Sequence, residues 1–272
     1  MYQWLYTVLL TAVFGACAVR PPAAPTPAGD TNDPPAARLF TTDQLRQVYI
    51  GTPTNALIKL DPNLQEVFRY TNNRLGLLAQ LDVSNPFSVL LYYPDYNTAI
   101  TLDRTLNETG RLNLLEQGLV QVNAIGLSSD NQIWVYDELN NQLRKLSATG
   151  EGELASDDLS LLLGKDIRPN FLTARNRRVY LNDPEVGVLV FDLFGQYLKT
   201  IDILGLTDFQ VLEDQLLYVR DGRLERFQLT SLLFQTIELP EGVEVHTGAE
   251  VQKGYLYDLD RGRVRMLKLT GN

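Results

Sequence analysis

The side chains able to do chemistry in this chain are few. One histidine, His246, and one cysteine, Cys17, occur in 272 residues. A single imidazole cannot assemble a multi-histidine zinc site. There is no GxSxG nucleophile elbow, no phosphate-binding glycine loop and no CxxC pair. His246 falls in a segment expected to form an inner strand, Glu244–Glu250. Its plain reading there is a hydrogen-bonded core or rim residue. Cys17 ends an apolar run and precedes a proline-rich stretch, which places its thiol at a processing site instead of a catalytic one.

The elements that would position any site come from repetition. The unit Gln132–Gly150, QIWVYDELNNQLRKLSATG, reads as strand, turn, strand. Its frame recurs around Tyr49, Tyr92, Trp134, Tyr180, Tyr218 and Tyr255, an aromatic residue each time. Three residues on stand Thr52, Asp95, Asp137, Asp183, Asp221 and Asp258. A second apolar column follows in Leu60, Leu102, Leu146, Phe191, Phe227 and Leu267. A period near forty with strand-like content means a β-propeller. Each copy is too short to bury its own apolar face, so the copies must stack. Alternate side chains of a strand face opposite sides, so the aromatic column is expected to pack between sheets. Each such burial stabilises by roughly 1.5–3 kcal/mol. The recurrent Asp is expected to accept backbone N–H bonds from the turn.

Six copies therefore predict an all-β, six-bladed propeller over residues 38–272. The hydrophobic fraction of 44% supplies a core of that size. The third copy is longer and leaves room for a short helix around Leu159–Gly164. No fourth strand follows the third strand of copy six, so the last blade is expected to have three strands; alternatively, Leu39–Asp43 completes it. An edge left open this way must be charged or covered. The net charge of −9, from 33 acidic and 24 basic residues, argues against nucleic acid as a partner. Arg175, Arg177 and Arg178, and also Arg261, Arg263 and Arg265, read as solvated strand faces and turns.

Residues 1–16 carry an apolar run, Leu5–Phe14, too short to span a bilayer as a helix and resembling a secretory signal. Phe14-Gly15-Ala16-Cys17 resembles a bacterial lipobox, which makes Cys17 the lipidated first residue of the mature chain. Cleavage at Ala16-Cys17-Ala18 is the alternative and would discard the thiol. Residues 17–37, rich in Pro and Ala, read as an extended tether. Anchor, spacer and globular domain follow the plan of a bacterial lipoprotein. Ala18 in place of Asp points to the outer membrane, with the domain facing the periplasm; a cell-surface or soluble periplasmic location is the alternative.

Tyr136-Asp137, Asn140, Asn141, Leu143 and Lys145 resemble the blade consensus of NHL-type six-bladed β-propellers. The resemblance implies a central channel and a binding role. Zinc-dependent lyases of similar shape need several His. Quinone-binding propellers carry tryptophan docking repeats that two Trp cannot supply. Calcium-dependent lactonases of similar shape use a Glu, two Asn and an Asp in the channel, oxygen donors that suit Ca²⁺. Asp82, Asn123, Asn170, Asp208 and Glu250 fall on or beside the inner strands expected here. Such donors occur in any acidic propeller, so no catalytic residue, cofactor or metal ligand is assigned. The expectation is a non-enzymatic envelope lipoprotein, a scaffold for another envelope protein, similar in role to propeller lipoproteins that assist outer-membrane protein assembly. The alternatives are a Ca-dependent lactonase-like hydrolase and a soluble periplasmic ligand binder. The residues do not set the oligomeric state.

Overall fold

A computed structural model describes residues 36–246 and 248–269. The processing segment, Cys17 and all but the last two residues of the 17–37 tether lie outside the described residues. The rest forms six antiparallel sheets. Blade 1 contains β1 (Leu39–Thr42), β2 (Val48–Gly51), β3 (Ala56–Leu60) and β4 (Glu66–Thr71). Blade 2 has β5 (Gln80–Asn85), β6 (Ser88–Tyr93), β7 (Thr98–Asp103) and β8 (Glu108–Asn113). Blade 3 has β9 (Ile125–Leu127), β10 (Ile133–Asp137), β11 (Gln142–Leu146) and β12 (Gly152–Ala155). Then comes a short helix, α1 (Leu159–Leu163), capped by Asp158, which accepts from the backbone N–H groups of Ser160 and Leu161. Blade 4 has β13 (Phe171–Arg175), β14 (Arg178–Asp183), β15 (Gly187–Phe191) and β16 (Tyr197–Ile201). Blade 5 has β17 (Gln210–Leu212), β18 (Gln215–Arg220), β19 (Arg223–Gln228) and β20 (Phe234–Thr236). Among the described residues, blade 6 has β21 (Glu250–Gln252), β22 (Tyr255–Asp260) and β23 (Arg263–Lys268). β1 pairs with β2, so it completes blade 1 and the sixth blade is three-stranded.

The ring closes because every neighbouring pair of blades shares an apolar core. Tyr49 and Leu57 of blade 1 meet Val89, Leu91 and Tyr93 of blade 2. Tyr92 meets Ile133 and Val135. Trp134 meets Val179 and Leu181, and Tyr180 meets Leu216 and Tyr218. Leu217 meets Val251 and Leu256. Tyr257 meets Val48, Ile50 and Ile58, which joins the last blade to the first. Tyr49 and Trp134 are fully buried, each with a lysine of the adjacent strand, Lys59 or Lys145, over its ring.

Two members of the aromatic column depart from the expectation of one wedge per blade at a fixed phase. Tyr218 points back to blade 4, sharing a core with Tyr180, and Leu217 takes the forward position toward blade 6. Tyr255 is half-buried, while Tyr257, two residues on, is fully buried against blade 1. The reason for the first is register. Asp137 is the last residue of β10, whereas Asp221 lies beyond β18 in the two-residue turn. Counting three back from Asp therefore lands on the opposite face, as any one-residue shift must.

The Asp column works through backbone N–H groups, and more of them than the turn alone supplies. Asp183 accepts from Glu185 and Val186 in its turn, and also from Arg168 in the segment entering the blade. Asp95 likewise accepts from Leu77, and Asp258 from His246. Each ties the entry to its own inner strand to the far end of the middle strand. A second polar column follows β3, β7, β11 and β15: Asp61, Asp103, Ser147 and Asp192 each accept from the backbone N–H groups two and four residues on. The third residue after each has positive φ, met by Leu64, Leu106, Gly150 and Gly195.

Gly187 has φ +110°, and a Cβ there would collide with the carbonyl oxygen of Ile201. Gly187→Ala is therefore expected to destabilise by about 2 kcal/mol, read as a lower urea midpoint at unchanged slope.

Candidate functional site

The inner strands β1, β5, β9, β13, β17 and β21 surround a cavity of about 230 Å³. Its wall is built in layers set by the ladders. Thr41 stands opposite Tyr49, Gly126 opposite Trp134 and Thr173 opposite Tyr180. Asp82, Gln210 and Glu250 stand opposite Leu90, Leu217 and Tyr257. These six share one layer, and the bonds across the blades show it. Asp82 accepts from the Leu127 backbone N–H at 2.8 Å, Gln210 from Val251 at 2.9 Å and Glu250 from Thr42 at 2.7 Å. In each case the donor is the residue just after the next blade's member of the layer. Gln80 repeats the pattern one layer away, accepting from Ile125 at 3.1 Å.

This pattern gives the channel's polar side chains a defined task. Inner strands of neighbouring blades do not pair with each other, so their inward N–H groups need acceptors. Asp82, Gln80, Gln210 and Glu250 provide them. Asp82 also accepts from Ser84 N–H at 2.7 Å within its own strand. The Thr42 hydroxyl donates to the same Glu250 oxygen as its backbone N–H. Burial pushes the Glu250 pKa up to about 7, although the bonds from Thr42 and Thr41 and the charge of Arg175 pull the other way. Burial also raises that of Asp208, against a bond from Thr207 and one from the Gly248 backbone.

The five oxygen donors considered from the sequence do not converge. Asp82, Asp208 and Glu250 line the cavity. Asn123 is exposed and donates to Glu138 at 2.8 Å. Asn170 accepts from the side chain of Asn182 at 2.7 Å, between blades 4 and 5. Among the described residues, no three His, Cys, Asp or Glu side chains are grouped so as to hold a metal ion.

His246 is not on an inner strand: β21 begins only at Glu250, and the imidazole, 46% exposed, lies in the segment before it. Its Nδ1 lies 2.9 Å from Oδ2 of the fully buried Asp258, which Arg265 also contacts. Burial alone would raise the Asp258 pKa, but these partners outweigh it and hold the carboxyl below its usual range.

Arg175, grouped by sequence with Arg177 and Arg178 as a solvated face, instead lines the cavity. Of the layer Thr41, Asp82, Thr173, Gln210 and Glu250, the sequence singled out only Asp82 and Glu250, as possible metal ligands and not as acceptors for the next blade's backbone. The layer's signal was present as a polar residue seven or eight positions before the residue it opposes in the middle strand. Asp82→Ala removes an acceptor for two N–H groups in and beside the channel wall. It is expected to cost about 1–3 kcal/mol in thermal or chemical unfolding.

No family model matches the chain, and no curated protein matches it. Solved structures do. Virginiamycin B lyase from Staphylococcus aureus is 14% identical, covering 89% of this chain and 87% of that one, with a TM-score of 0.55. A catalytically inactive His-to-Ala variant of the same lyase, solved with quinupristin, gives 13% identity, 88% and 86% coverage and 0.54. A Bacteroides thetaiotaomicron VPI-5482 protein of unknown function is 10% identical, with 88% and 70% covered and a TM-score of 0.59. At such identities the likeness is one of fold, and with six sheets closed in a ring it makes this chain a six-bladed β-propeller.

Proposed function

We propose that the protein is a non-enzymatic scaffold of the bacterial envelope, lipidated at Cys17 and carried on the 17–37 tether at the periplasmic face of the outer membrane, where its NHL-like propeller binds another envelope protein. The observation that carries this reading is the channel wall. Asp82 and Glu250, the carboxyls best placed for ligation or proton transfer, already accept backbone N–H groups of the neighbouring blade. Chemistry at either would compete with closure of the ring. The lyase among the fold neighbours, whose His-to-Ala variant is inactive, weighs little toward catalysis here. The single histidine of this chain, His246, is outside the cavity lining and engaged with Asp258.

A hydrolase reading draws support from Arg175, Asp208 and Glu250 sharing one cavity, with both acids shifted upward. Crosslinking in intact cells, with photoreactive residues placed around the propeller of the full-length lipoprotein, separates the two. The scaffold reading expects one envelope protein joined from one contiguous face. No adduct above background from any face, together with turnover of a lactone panel by the purified chain, would overturn it.

A further inference from the structure

The channel cavity holds two opposite charges that closure of the ring does not use. The layers of its wall show where they stand. Inner strands of neighbouring blades run the same way, because Gln80 accepts from Ile125 while Asp82, two residues on, accepts from Leu127. Thr173, Gln210 and Glu250 share the middle layer. Arg175 lies two residues beyond Thr173 and Asp208 two before Gln210, so they stand on either side of that layer. At about 3.3 Å per residue their backbones are about 13 Å apart along the strand direction. Both side chains line the cavity and both are half-buried. Among the described residues, the Arg175 guanidinium makes no hydrogen bond or ion pair. Asp208 has only neutral donors there, the Thr207 hydroxyl at 3.3 Å and the Gly248 backbone N–H. With no cation beside it, burial holds its pKa above the ordinary carboxylate value.

We propose that the channel binds a small linear zwitterion, an ω-amino carboxylate whose carboxylate meets Arg175 and whose ammonium meets Asp208. The proposal goes beyond the scaffold reading and does not depend on it. Guanidinium and carboxylate form charge-assisted, bidentate hydrogen bonds. The Thr173 hydroxyl, on the same strand face as Arg175 and without a side-chain partner among the described residues, is a second donor to that end. The long Arg175 side chain shortens the gap between the charges to one that a stem of several methylene groups bridges. Leu39 and Phe171, half-buried in the cavity wall one layer before Thr41 and Thr173, give that stem an apolar surface. A simple anion fits poorly, because Asp82, Asp208 and Glu250 line the same cavity, and a simple cation leaves Arg175 unpaired. Neither end of the zwitterion needs Asp82 or Glu250, which stay with the neighbouring blade's N–H groups. Arg175 marks the end where inner strands turn back into middle strands. Ala37, bound to the Gly262 carbonyl just before β1, enters the domain at the opposite end.

The test is calorimetric titration of the purified full-length chain at neutral pH with 6-aminohexanoate, hexanoate and hexylamine. The zwitterion should bind saturably at one to one, about tenfold or more tighter than either singly charged analogue. Arg175→Gln should lower its affinity to that of hexylamine, and Asp208→Asn to that of hexanoate. Arg175→Lys, which keeps the charge and loses only the bidentate geometry, should retain most of the preference. Melting transitions of the variants establish that each is folded. Affinity for 6-aminohexanoate no better than for its analogues, no saturable heat with any of the three, or affinity unchanged in both Arg175→Gln and Asp208→Asn would overturn the site. None of these results bears on crosslinking to an envelope partner, which tests the scaffold reading separately.

Discussion

Trp134→Ala lowers the free energy of unfolding by about 3–5 kcal/mol, the largest loss expected from any single wedge. The ring is fully buried between blades 3 and 4, against Val179, Leu181 and Phe191. Its indole N–H has no hydrogen-bond partner among the described residues, so the loss is one of packing, with the Lys145 ammonium also losing its aromatic partner. Tyr255→Ala, at the half-buried position, is expected to cost less than half as much, and Tyr257→Ala to resemble Trp134→Ala. Denaturant unfolding followed by circular dichroism ranks the three. Equal costs at Tyr255 and Tyr257 would contradict the assignment of Tyr257 to the seam between blades 6 and 1.

Glu250→Gln is expected to stabilise the protein at pH 8 and to leave it nearly unchanged at pH 4. Burial raises the folded-state pKa from the ordinary 4.5 to about 7, so the native state holds this proton more tightly than the unfolded chain does. The stabilising contribution of the protonated form is complete below about pH 4.5. It fades as pH rises through 7, amounting to a loss of about 2–3 kcal/mol by pH 8. A glutamine keeps an oxygen for the Thr42 donors and carries no charge, so its profile should be flatter across that window. The seam at stake is the one between blades 6 and 1, which the bonds from Thr42 to Glu250 bridge. Melting temperatures from pH 4 to 8 for both proteins check this. Parallel profiles for wild type and variant would show that Glu250 does not titrate there.

The number of sheets was legible because one wedge per blade must recur at the blade period. The three-stranded last blade, expected from the repeat, has its structural reason in β1, which pairs with β2 inside blade 1 and is not lent to blade 6. The phase of every wedge was not legible. Asp137 ends a strand, but Asp221 sits in a tight turn, and a frame anchored on Asp identity hides the parity change that turns Tyr218 around. The channel was less legible still. Asp82, Gln210 and Glu250 share no residue type, and what unites them is an oxygen at one height on the inner wall, which only the ladder registers reveal. His246 was misplaced because the apolar alternation near Val245 and Ala249 imitates a strand, whereas both side chains pack against blade 5 from an irregular segment. Arg175 was grouped with its sequence neighbours, although β13 ends there and the turn sends Arg177 and Arg178 elsewhere.

The most direct measurement is a calorimetric titration of the purified full-length chain with Ca²⁺ at neutral pH, repeated on Asp82→Asn and Glu250→Gln. If the channel carboxyls hold blades together, the wild type shows no saturable one-to-one heat, and the two variants differ from it in stability alone. A stoichiometric, chelator-reversible heat that disappears in both variants, accompanied by hydrolytic turnover, would contradict the scaffold reading at its root.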